Sequence, residues 1–190
     1  MNNINAFFSN PDIPARIKLV SLSVLFGGTY SVGKRPGGQE FFQCEVGKVG
    51  TNRSIPIYVE KGVNYSLSTG SCVALLKAMS VSDYFKTNAD RILKGDCNDE
   101  EILNACKEEI KERYNSNDKM CADKYKNSAN GVILGVKGKL EELFKECVKC
   151  GDLTSEQRTT SVESLLKLSE DVFTSDDKKK QITAEMPSNN

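Results

Sequence analysis

Histidine and tryptophan are both absent from the 190 residues. Without histidine there is no Ser/His/Asp or Cys/His triad, no imidazole metal ligand and no histidine general base. Proton transfer would fall to Asp, Glu, Lys, Tyr or Cys. Aromatics reach only 7% and hydrophobic residues 38%, lean for a globular chain yet above the disordered range. Two compact units with modest cores fit that composition better than one large core. No apolar run approaches the ~18–20 residues that span a bilayer, and no membrane contact is expected. The start, Met1-Asn2-Asn3-Ile4-Asn5-Ala6-Phe7-Phe8, lacks the basic segment and long apolar run of a signal peptide. These absences point to an intracellular, cytoplasmic protein with reduced thiols. On that reading the glycosylation-type triplets at Asn52 and Asn64 are chance matches.

An excess of charge of one sign is also missing. Lys+Arg and Asp+Glu both number 26, so the whole chain makes no electrostatic case for nucleic acid or membrane. The halves differ, however. Residues 1–79 hold eight basic and four acidic side chains, and residues 80–190 hold 18 and 22, net charges of +4 and −4. Such asymmetry points weakly to a polyanion site on the basic half.

The expected fold class is α+β: a small antiparallel β barrel or sandwich in the N-terminal half, followed by an α-helical C-terminal half. Residues 1–16, with Pro11 and Pro14, read as an N-terminal arm. Phe7 and Phe8 either fold back on the core or dock on a neighbouring copy. A β-rich unit is expected over 17–79. Val20, Leu22, Val24 and Phe26 alternate with Ser21, Ser23 and Leu25, a period-2 pattern that predicts a strand from Ile17 to Phe26. Gly27-Gly28 breaks it, and Thr29–Val32 reads as a short continuation past a bulge. The loop Gly33-Lys34-Arg35-Pro36-Gly37-Gly38 follows, with type II turn chemistry at Pro36-Gly37. Strands are expected at Glu40–Val49 and Ser54–Glu60, the second at an edge because Pro56 cannot donate to a ladder, and another at Val63–Leu67. Cys72–Met79 suits either a helix or a fifth buried strand, with helix favoured.

From Ser80 the pattern is helical, and an α-helical unit is expected over 80–173. Ser80–Asp83 resembles a capping arrangement for a helix that ends at Gly95. Asp99 caps a run with Leu103, Cys106, Ile110 and Tyr114 on one stripe. Asn115–Asp118 breaks it, and Met120–Asn127 reads as a short polar helix. Ile133–Lys149 carries Val136, Leu140, Leu143, Phe144, Cys147 and Val148 on one face and stops at Gly151. Thr154-Ser155-Glu156-Gln157 is a capping box for a last helix striped by Val162, Leu165, Leu166, Leu168 and Val172. Residues 174–190 are polar, with a Lys178–Lys180 run, and read as a flexible tail.

Few constellations suggest chemistry. Cys147-Val148-Lys149-Cys150 has metal or redox spacing, but it lies at a helix C-terminus, where the dipole opposes a thiolate. No second CxxC completes a zinc set, although Cys97, Cys106 or Cys121 would be candidates. Cys106 and Cys147 lie on apolar stripes, as small buried hydrophobes do. The 33–38 loop lacks P-loop spacing. Glu108/Glu112 beside Lys107/Lys111 describe a solvated ion-pair face. No metal site, no cofactor and no catalytic residue is assigned.

The sharper reading concerns the β-rich unit. Sites for single-stranded nucleic acid pair cations along the backbone with aromatic faces for stacking bases. Lys34, Arg35, Lys48, Arg53 and Lys61 supply the cations; Phe41 and Tyr58, with Tyr30 as a further candidate, supply the rings. In the expected register Phe41 and Tyr58 face away from Phe42, Cys44, Val46, Ile55, Ile57 and Val59. They are then either exposed for binding or buried under a helix, and the 33–38 loop is either part of the site or an ordinary hairpin turn. The expected function is non-catalytic binding of nucleic acid, DNA or RNA, by the basic β-rich unit. The acidic helices would mediate self-association or contact a protein partner. The alternative is a structural or assembly protein, such as a virion or accessory component, acting through subunit contacts.

Overall fold

The computed structural model describes residues 4–26, 30–34, 36–37, 40–47, 54–58, 67–114, 137–149 and 151–174. In chain order these form α1 (Ile4–Ser9), α2 (Ala15–Leu25), β1 (Tyr30–Lys34), β2 (Glu40–Gly47), β3 (Ser54–Tyr58), α3 (Thr69–Met79), α4 (Asp83–Lys94), α5 (Asp99–Tyr114), α6 (137–149) and α7 (Ser155–Thr174).

The expected fold class does not hold. The described residues form a predominantly helical body with seven helices, not a barrel or sandwich with helices appended. The decisive segment is α2, where a first strand was expected from Ile17. Every residue from Arg16 to Leu25 is buried. A helix covered on all sides has no polar face, so it leaves no 3.6-residue rhythm in the sequence. The serines that mimicked strand alternation are small enough to sit inside the body. The Ser21 hydroxyl donates back to the Ile17 carbonyl at 2.7 Å, which satisfies it within its own helix.

The other helices pack around α2. α3 and α4 lie against it, α5 packs on α4, and α7 closes on α1 and α5. Phe7 and Phe8 fold inward. Phe8 is fully buried, and Phe7 meets the Phe144 ring edge-on at 5.9 Å. The stripes on α6 and α7 face the same core, with Leu140, Phe144, Cys147, Leu165 and Leu168 at 0% exposure. Residues 133–136 of the expected helix lie outside the described residues.

Caps fix the helix ends. In the Thr154–Gln157 box, the Gln157 N–H donates to Thr154 Oγ1 at 3.1 Å and the Thr154 N–H to Gln157 Oε1 at 2.9 Å. Ser82, rather than Ser80, caps α4 by accepting from the Phe85 N–H; the Ser80 hydroxyl closes α3 on the Leu76 carbonyl. The α5 cap sits one residue earlier than expected. Asn98 and Glu101 exchange reciprocal bonds, while Asp99 accepts the Asn5 N–H of α1 at 2.6 Å. α4 ends at Gly95 with φ +79, and a Cβ there would lie 2.7 Å from the Ser9 Cα.

The β segment is an open three-stranded antiparallel meander in the order β1-β2-β3. Lys34 pairs with Glu40, Gly33 with Phe41 and Glu45 with Pro56. Pro56 therefore sits on a strand with no neighbour beyond it among the described residues, the position a sheet allows a proline. Gly37 has φ +104, the left-handed region a type II turn asks of its third residue. β2 lies against α2 and α3. Of the strand expected at Val63–Leu67, only Leu67 is described, and it packs against the core outside regular structure. The helix expected at Met120–Asn127, the break before it and residues 175–190 lie outside the described residues.

Candidate functional site

Three of the seven expected contact residues fall in described backbone. Lys34 ends β1, Phe41 is the second residue of β2, and Tyr58 ends β3. The register pairs Tyr58 with Gln43, two positions along β2 from Phe41, so the two aromatic positions are diagonal neighbours across adjacent strands. Lys34 stands opposite Glu40 at the mouth of the β1–β2 hairpin, next to the exposed Pro36-Gly37 turn. Arg35, Lys48, Arg53 and Lys61 lie outside the described residues.

Pattern reading missed a set of buried charges inside the helical body. Glu109 and Arg113 of α5 are 0% and 2% exposed and form an ion pair at 2.7 Å. The pair spans the α3–α4 turn. The Glu109 carboxylate accepts the Val81 N–H at 2.9 and 3.0 Å and the Ser82 N–H at 3.1 Å. Arg113 Nη2 donates to the Met79 carbonyl at 3.0 Å. The carboxylate thus meets donors left open where α4 begins, and the guanidinium meets an acceptor left open where α3 ends. Arg113 also lies 5.1 Å over the Phe26 ring, and Phe26 packs edge-on against Phe85 at 5.3 Å. The signal was available in the sequence. Glu109 and Arg113 are four apart and interleave with Cys106 and Ile110 on the apolar stripe, whereas Glu108 and Glu112 are offset by one.

A second buried pair joins distant parts of the chain. Arg16, at the start of α2, bridges Asp152 in the α6–α7 turn, with side-chain exposures of 3% and 6%. Two residues on, Lys18 is buried and donates from Nζ to the Asn10 carbonyl at 3.0 Å; burial pushes its pKa below the usual lysine value.

Cys72, Cys97, Cys106 and Cys147 are interior. Burial raises the Cys72 thiol, partly offset by the Arg16 charge, and burial likewise raises Cys97 and Cys106. Cys147 is fully buried on α6, and Cys150 lies outside the described residues. Among the described residues no three metal-ligating side chains converge, and no helix is long and apolar enough to cross a membrane. Polar groups arranged this way hold helices together.

The chain matches no protein-family model, no curated protein and no solved structure.

Proposed function

We propose a non-catalytic binding protein that contacts single-stranded nucleic acid through the β meander. Lys34, Arg35, Lys48, Arg53 and Lys61 would follow the phosphates, with Phe41 and Tyr58 stacking on bases. The observation that supports this reading concerns the helices. Their apolar stripes are already occupied by one another, and Tyr84 is the one large hydrophobic side chain exposed among the described helical residues. Helices whose described residues leave so little apolar surface exposed give little purchase for assembly through helix stripes, the alternative reading. Polar and electrostatic recognition then falls to the basic residues in and around the β meander, since Arg16 and Lys18 are buried in the helical body.

The test is titration of a fluorescent single-stranded oligonucleotide at several salt concentrations. Binding should weaken steeply with salt, and Lys34→Ala/Arg35→Ala should weaken it at each salt while leaving the thermal midpoint in place. Absence of binding at low salt would end this reading. Light scattering on the same samples addresses the alternative, because an assembly protein would show an oligomer whose size is indifferent to those two substitutions.

A further inference from the structure

We draw no further inference here: the strongest candidate, the small apolar cleft where the end of α2 meets α5 and α7, lined by Leu25, Phe26, Ile110, Leu168 and Val172, carries nothing because nothing in the structure shows what covers it.

Discussion

Gly95 and Gly151 share a backbone conformation but not a setting. Both follow a helix with φ in the left-handed region, at +79 and +86. A Cβ at Gly151 would meet nothing within 4 Å, whereas one at Gly95 would press on the Ser9 backbone. Gly151→Ala should therefore cost only the conformational penalty, about 1–2 kcal/mol. Gly95→Ala should cost clearly more, because α1 must move as well. Urea unfolding of the two variants checks this, and equal losses would mean that α1 yields freely.

The buried charges have different expected signatures. Glu109→Ala removes one partner of an enclosed pair and strands two N–H groups, so a loss of about 3–5 kcal/mol is expected. Glu109→Gln keeps an acceptor for those N–H groups and should lose less; a loss as large as that of the alanine would assign the whole effect to the charge. Lys18 has the opposite sign. Its ammonium titrates below 10.5 in the folded chain, so between the folded and unfolded values the unfolded chain binds more protons and stability rises with pH. Below that window the burial cost is carried in full. Lys18→Met should match or exceed the parent chain at pH 7, with its advantage shrinking as pH climbs toward 10.5. A variant weaker at pH 7 would show that the bond to the Asn10 carbonyl outweighs desolvation.

At the scale of elements, α7 offers a clean measurement. Thr154→Ala removes the acceptor for the Gln157 N–H and should cost ~1 kcal/mol, seen as faster amide exchange in the first turn of α7 more than in its last. The same experiment should rank α2 among the slowest-exchanging segments, since no side of it faces solvent. Legibility in the sequence follows from how each element is buried. α4 and α7 have one wet face and chemical caps, so stripe and boundary could be read from residues such as Gly95, Thr154 and Gln157, although the α4 cap falls on Ser82 rather than Ser80. α2 has neither a wet face nor a side-chain cap, and its serines imitated alternation. Its length, eleven residues after Pro14, was the remaining clue, since strands seldom run so long. Glu109 and Arg113 were passed over because a charged residue on an apolar stripe looks like an interruption, although their spacing of four was there to be read. Arg16 and Asp152, 136 residues apart, could not have been paired by spacing at all.

For the whole molecule, the buried thiols report on opening. Cys72, Cys97 and Cys106 lie in the interior, and their raised pKa values disfavour the reactive thiolate. A thiol reagent at pH 8 should label them only as fast as the body unfolds, with rates that track added urea. Prompt labelling of Cys106 in native buffer would show that the cleft it lines between α2, α5 and α7 opens independently.

The Arg16–Asp152 bridge also bears on how the chain is made. Synthesis proceeds from the N-terminus at about 5–20 residues per second, so the 136 residues between the two partners take roughly 7–27 s to appear. Throughout that interval α2 has emerged but the turn that anchors its first residues has not. In a newly made chain α2 can therefore gather α3 and α4 around it well before Asp152 arrives to hold Arg16.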